Sequence, residues 1–306
     1  MRFAISLPQF FEDGAFDPAG FAGFVHRAEE LGYHSGWTQE QVLGPGANLG
    51  PIELMTYAAA CSERLRLGCA VFVSPLHNPV HFAKNLATLD QLSRGRLEVG
   101  IGTGGRGRMF SAFSVDPDRL VGRFTEGLNL MKELWTSPRV TFDGQFWQLE
   151  DAIMEPKPAQ KPYPPVWFGG RHPAALRRAV RHGDGFFGAG SSTTADFAEQ
   201  VGIVREELAA TGREPGSFRL AKRVYVAVDD DAARAAELAV AGLSVIYGDR
   251  GGRDRQSAAV FGTPGNCVRG VREVAEAGAE LILFTPLTDP AAQMERLAAE
   301  VMPHLS

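Results

Sequence analysis

Short apolar runs of strand length alternate along this chain with longer amphipathic stretches of helix length, and this rhythm restricts the fold more than any composition figure. Phe3–Leu7 reads as a strand ended by Pro8. Residues 17–32 read as a helix, with Asp17 as its cap, Pro18 suited to the first turn and Gly32 as its stop. A strand follows near Gly36–Gln39, then a helix near 52–63, a strand Leu65–Val73, a helix 78–93 capped by Asn78, and a strand Arg96–Ile101. The helix near 118–135 carries Leu120, Phe124, Leu128, Met131 and Leu134 at three- and four-residue spacing. Further strands are read at 165–169, 184–188, 219–228 and 280–284, and helices at 172–182, 193–211, 230–247, 263–277 and 289–302. Strict alternation calls for a parallel sheet with crossover helices. Eight units favour a closed α/β TIM (β/α)8 barrel over an open doubly wound sheet, as one domain spanning 1–306.

Two segments interrupt the rhythm, one after the fourth strand and one after the seventh. Residues 136–164 hold Pro156, Pro158, Pro162 and Pro164, and the runs Val140–Phe142 and Phe146–Leu149 flank Asp143-Gly144. That pattern predicts a hairpin followed by a proline-stiffened connection. Residues 248–262 mix Gly248, Gly251 and Gly252 with Asp249, Arg250, Arg253, Asp254 and Arg255, and read as a mobile charged loop. Each is either surface decoration or a lid over the face where barrel strands end, because long loops there commonly carry function.

Composition excludes several classes. Hydrophobic residues make up 44% and charged residues 22% of 306, which is ordinary for a globular core and excludes a disordered chain. The net charge of −5 gives no electrostatic reason to expect a nucleic acid or an anionic membrane as partner. No apolar run nears the roughly 20 residues that cross a bilayer, and no cleavage-site pattern follows Met1-Arg2-Phe3. Cys61, Cys69 and Cys267 form no disulfide framework, and their odd number suits a reducing cytoplasm. The His and Cys positions lack zinc-ligand spacing, and no Gly-x-Ser-x-Gly elbow is present.

Glycine is in surplus, at 35 residues where a usual share of ~7% would give roughly 21. Much of it sits where strands meet the segments after them. Gly100-Ile-Gly102-Thr103-Gly104-Gly105-Arg106-Gly107 follows one strand, clearing space for a flat or anionic ligand against the backbone. It is no dinucleotide fingerprint, since several residues and Pro117 separate it from the next helix. Phe168-Gly169-Gly170-Arg171-His172-Pro173 passes from strand into helix, so free amides, the positive helix end and the Arg171 guanidinium predict a phosphate site. An ordinary tight turn with Arg171 in solvent is the alternative. The third group, Gly188-Ala189-Gly190-Ser191-Ser192-Thr193, offers Gly190 and Ser191 to a ligand, or Ser191 or Ser192 as helix cap.

Several of these segments, in order, resemble the luciferase-like superfamily of flavin- and F420-dependent oxidoreductases over essentially the whole chain. They are Leu31–Gln41, Leu67–Pro79, Leu86–Leu97 leading into Val99–Gly102, Pro165–Gly170 and Gly183–Gly185. The resemblance implies a TIM barrel holding its cofactor at the strand ends, usually within a homodimer, and a small organic substrate. It implies a non-prolyl cis peptide at Ala70–Val71 backing the cofactor ring, and a phosphate site at Gly169, Gly170 and Arg171. The acid of the second strand matches Glu40, but the catalytic histidine that many members carry next is Gln41 here. Glutamine can hydrogen-bond a substrate yet cannot take up a proton near neutral pH as imidazole does. Where some relatives have an arginine after the fourth strand, this chain has Thr103, and Arg106 is the candidate to supply the charge.

His77, in the turn Pro75-Leu76-His77-Asn78, is the remaining candidate acid or base, with a plain turn residue as the alternative reading. His26, His34, His81, His172 and His182 read as structural or capping residues. Lys222 and Arg223 fall on the seventh strand with opposite orientations, so at most one faces the barrel interior; a buried lysine there calls for a phosphate or an acidic partner, and a solvent-side pair at the strand start is the alternative. The reading that results is a flavin-dependent oxidoreductase or monooxygenase using FMN, with Glu40, Gln41 and His77 at the reacting centre. Phe10, Trp37, Phe72 and Trp147 are expected to line its substrate pocket. F420-dependent hydride transfer is the alternative within the superfamily, and a non-catalytic flavin-binding protein is the rival from another class.

Overall fold

A computed structural model describes residues 1–11, 15–44, 46–105 and 108–305. In chain order the first elements are β1 (Arg2–Ser6), α1 (Pro18–Glu30), β2 (Ser35–Thr38), α2 (Pro51–Ala60), β3 (Arg66–Val73), α3 (Pro79–Leu92), β4 (Leu97–Gly102) and α4 (Leu120–Thr136). There follow β5 (Val166–Gly169), α5 (Pro173–His182), β6 (Gly185–Gly188), α6 (Thr194–Thr211), β7 (Arg219–Val228), α7 (Ala232–Asp254), α8 (Pro264–Glu276), β8 (Leu281–Pro286) and α9 (Pro290–Arg296). Hydrogen bonding runs β6-β5-β4-β3-β2-β1-β8-β7, and β6 also pairs with β7. The order is therefore cyclic, as in a TIM (β/α)8 barrel. No helix among the described residues is long and apolar enough to cross a membrane.

Local signals set the helix starts. Asp17 accepts from Ala19 N at 3.0 Å and Asn78 from Val80 N at 3.0 Å, each followed by a proline at the first turn. α6 is capped by neither Ser191 nor Ser192 but by Thr193, in a reciprocal capping box with Asp196. An Asp at the third helical position lets that box close, and only threonine stands three residues before it.

By backbone contacts the chain divides into two units. One comprises Met1–Pro8, Asp17–Trp37 and Phe168–Ser306, the other Gln9–Phe16 and Thr38–Trp167. In the first, Phe3 stacks on Phe284 at 5.6 Å, and Trp37 meets Phe187 edge-on at 4.7 Å. In the second, Leu67, Cys69 and Phe72 of β3 and Val99 and Ile101 of β4 are fully buried with Phe82 and Leu86 of α3. β3 and β4 run parallel with a register shift between Cys69 and Phe72, and the Ala70–Val71 peptide bond is cis. Gly100 is required beside it, because a β-carbon there would lie 2.0 Å from the Cys69 carbonyl oxygen.

The first interruption holds the expected hairpin, and the second is more ordered than the sequence suggests. The hairpin pairs Val140–Asp143 with Gln148–Ala152, so Phe146 and Trp147 lie in the turn and not on its second strand. Residues 248–262 form no irregular loop. α7 kinks at Gly248 (φ 75°), resumes to Asp254, and leads to a short strand, Ala259–Gly262, parallel to β7. Charge and glycine content suggested a loop, but one left-handed glycine suffices to redirect a helix that then continues.

Candidate active site

In the second unit, the end of β2 and the turn after β3 bring two titratable side chains together. Glu40 Oε1 lies 2.8 Å from His77 Nε2, while Glu40 Oε2 accepts the Val73 amide at 2.6 Å. The Glu40 side chain is 4% exposed and that of His77 25%. The imidazole stacks on Phe82 (4.3 Å, 14° between planes), and Phe72 meets it edge-on. An ionised carboxylate only accepts, so Nε2 carries the proton of this hydrogen bond and Nδ1 is the nitrogen that can exchange one. Stacking fixes the ring plane and with it the direction of Nδ1.

Gln41 does not join this pair. Its side-chain amide lies over Gly44 in the following loop. Phe72 and Trp37 are 0% and 1% exposed, placed within the packed interior rather than along an open wall; the Trp37 indole donates to Ser35 Oγ at 2.8 Å. Phe10 is 45% exposed and pairs in register with Asn48 in a two-residue ladder. Thr103 is partly exposed after β4, next to Gly102 at the strand's last position. Arg106 lies outside the described residues.

Trp147 is held against α4. The Arg123 guanidinium stacks over its indole at 4.6 Å and donates from Nε to the Pro75 carbonyl at 3.2 Å, two residues before His77. Burial pulls the Arg123 pKa below its ordinary value, with nearby Glu126 opposing. The Glu126 carboxylate accepts amides of Gln145, Phe146 and Trp147 at 2.9, 2.7 and 3.1 Å, so it caps the hairpin turn. The hairpin is thus tied to α4 and, through Arg123, to the turn that carries His77.

In the first unit, Gly169 ends β5, Gly170 and Arg171 bridge to α5, and the Arg171 side chain is exposed. His172 occupies one of the amides at the helix start, Nδ1 accepting from Ala174 N at 3.2 Å. The groups left for an anion are the Gly170–Arg171 backbone and the Arg171 guanidinium. Gly190 and Ser191 lie between β6 and α6. A β-carbon at Gly190 would come within 2.6 Å of the Tyr225 ring and 3.1 Å of Arg223 Cδ, so only glycine lets the turn close on those two side chains.

Lys222 finds its hydrogen-bond acceptors in the backbone. The residue is 2% exposed, and Nζ donates to the carbonyl oxygens of Ala189 at 2.6 Å and Arg223 at 2.9 Å. Burial, reinforced by Arg223 and partly opposed by Asp196, pushes its pKa down to about 7. A neutral amine has two N–H groups, which match the two carbonyls. The side chain braces the β6–α6 turn. Among the described residues no cluster of His, Cys, Asp and Glu could hold a metal ion.

Comparisons with known proteins bear on the family and the fold. The family model of luciferase-like monooxygenases matches residues 1–257. An F420-dependent glucose-6-phosphate dehydrogenase from Kineococcus radiotolerans is 30% identical over 230 residues, 72% of this chain and 68% of that one. Among solved structures, the monooxygenase RslO1 from Streptomyces bottropensis superposes with a TM-score of 0.86 at 22% identity, covering all of both chains. The F420-dependent tetrahydromethanopterin reductase from Methanopyrus kandleri gives 0.83 at 19% identity, covering 100% of this chain and 99% of that one.

Proposed function

The chain belongs to the luciferase-like monooxygenase family, and from that premise we propose that it is an F420-dependent oxidoreductase that moves hydride between the deazaflavin and a small alcohol or carbonyl compound. The family's cofactors are flavins and F420, and the sequence alone leaned to FMN. The observation that carries the F420 reading is the Glu40–His77 pair at 2.8 Å. A hydride leaving an alcohol carbon must be accompanied by loss of the hydroxyl proton, and the reverse reaction must return it. A held imidazole with one free nitrogen performs that proton transfer.

The residues present suit such a group. Gly169, Gly170 and Arg171 offer a phosphate backbone amides and a cation. Gly190 lets the next turn pack closely on Tyr225, where a β-carbon would strike the ring. When bound, the deazaflavin would supply the hydride-accepting carbon. Glu40 then keeps His77 in one tautomer, His77 takes or returns the substrate proton at Nδ1, and Arg123 holds the turn from Pro75 to His77 in place.

Titrating the protein with F420, FMN and FAD, followed by fluorescence, tests the reading. F420 should bind most tightly, and bleaching of F420 at its visible band with a panel of secondary alcohols should follow. Tighter FMN binding with oxygen-dependent turnover would replace hydride transfer by oxygenation. Binding without turnover across the panel would make the chain a carrier of its cofactor. Arg171→Ala should weaken F420 binding, and an unchanged affinity would remove Arg171 from the site.

A further inference from the structure

The C-terminal half of β7 carries buried polar side chains that the proposed reaction does not use. Arg223 and Tyr225 alternate onto one face of the strand, opposite Lys222. Tyr225 Oη lies 2.8 Å from Tyr247 Oη, the rings meeting edge-on at 84°. Tyr247 comes from the last turn of α7 before the kink at Gly248. On the neighbouring strand β8, Thr285 is the register partner of Tyr225, and its Oγ1 lies 2.6 Å from Ser6 Oγ at the end of β1. Two hydroxyl pairs therefore stand side by side on adjacent strand ends, in the same unit as Arg223.

Each pair contains two hydroxyl protons but only one internal hydrogen bond. One proton of each pair is thus directed to some other acceptor. Cations accompany the tyrosines: the Arg255 guanidinium covers the Tyr247 ring at 4.4 Å, and Gly190 packs against both Tyr225 and Arg223. Burial first, and the neighbouring Tyr225 second, hold the Tyr247 pKa above its ordinary value, while Arg223 and Arg255 act in the opposite sense. The Tyr247 hydroxyl therefore stays protonated and can donate. A set of donors flanked by guanidinium groups matches an oxygen acceptor.

We propose that the Tyr225–Tyr247 hydroxyl pair, with Arg223 beside it and the Ser6–Thr285 pair on the adjoining strands, is a subsite for an acceptor oxygen of the organic substrate, a carbonyl or a carboxylate. It rests on the reading of the chain as an oxidoreductase of small organic compounds, and it makes Tyr225 and Tyr247 residues that select among them. Neither residue stands out in the sequence, because Tyr247 adjoins a segment whose composition is that of a loop.

The probes are acetophenone, benzoate and ethylbenzene, three ligands of similar size that differ in the oxygen they carry. Each is titrated calorimetrically into wild-type protein and into Tyr225→Phe and Tyr247→Phe, with and without F420. Wild-type protein should prefer an oxygen-bearing probe to ethylbenzene by about tenfold or more, as one to two hydrogen bonds imply. Each phenylalanine variant should lose most of that preference while binding ethylbenzene unchanged. Preference for benzoate assigns the subsite to a carboxylate, and preference for acetophenone assigns it to a neutral carbonyl. Equal binding of all three probes to the wild type, or a preference that survives both variants, overturns the proposal. Failure of F420 to bind the wild type counts against the proposed function alone, since the cofactor-free titrations still decide the subsite.

Discussion

Glu40 and His77 lie 37 positions apart in sequence, yet their carboxylate and imidazole form a 2.8 Å hydrogen bond whose other carboxylate oxygen holds the Val73 amide. Removing the imidazole while keeping its volume therefore isolates proton transfer. His77→Gln should lower kcat by about 10²–10⁴-fold and leave F420 affinity within about twofold. Glu40→Gln should also lower activity, because a carboxamide has one acceptor oxygen and cannot accept from both His77 Nε2 and the Val73 amide. An unchanged kcat in His77→Gln would show that this ring moves no proton in the turnover.

At the start of β4, Glu98 serves stability. Its side chain is 3% exposed, one oxygen pairs with the Arg66 guanidinium, and the other accepts from Trp167 Nε1 at 2.6 Å. Glu98→Ala would leave Arg66 without its carboxylate and an indole N–H without an acceptor. Loss of one partner from a buried pair of this kind costs about 3–5 kcal/mol. Urea denaturation should show that loss in the midpoint with an unchanged slope. A loss under about 1 kcal/mol would mean that water replaces the carboxylate.

The hairpin anchored by Glu126 gives a local counterpart. Three consecutive amides bond to one carboxylate, so Glu126→Ala should free residues 145–147 while global stability falls by only about 1–3 kcal/mol. Amide exchange at those three positions should accelerate by tenfold or more, and Trp147 fluorescence should shift toward that of an exposed indole. Slow exchange retained in the variant would assign the hairpin's order to the stacking of Arg119 and Arg123 on Phe146 and Trp147 instead.

These contacts mark what the sequence could and could not reveal. The barrel is legible because hydrophobic periodicity and caps are local: Asp17, Asn78 and the prolines after them start helices where they stand. Glu40 and His77 each attract notice singly, one by its place after a strand and the other by its turn. Their pairing depends on neighbouring strand ends and has no sequence signature. Glu126 reads as an ordinary helix surface residue until the hairpin, 19 to 21 positions later, folds onto it. Tyr247 was hidden by the glycine and charge that follow it. The backbone acceptors of Lys222 were not legible either: a buried amine needs acceptors, and Ala189 in the β6–α6 turn and Arg223 on β7 supply two carbonyls that no pattern marks.

Lys222 also sets a pH dependence whose sign follows from its surroundings. Its pKa is about 7 in the folded chain and 10.5 as the reference value, lowered chiefly by burial. Below pH 7 the amine is charged in both folded and unfolded states. Between about pH 7 and 10.5 the unfolded chain holds a proton that the folded chain has released, so stability must rise with pH across that window and level off above it. Each unit of the difference is worth about 1.4 kcal/mol. Lys222→Met removes the titration and leaves the Ala189 and Arg223 carbonyls without this donor, a cost of about 1–3 kcal/mol at every pH. The stability of the wild type relative to Lys222→Met, measured by urea denaturation from pH 6 to 10, should therefore be nearly constant below pH 7 and grow above it. Curves that stay parallel from pH 7 to 10 would show that the ammonium remains charged in the fold.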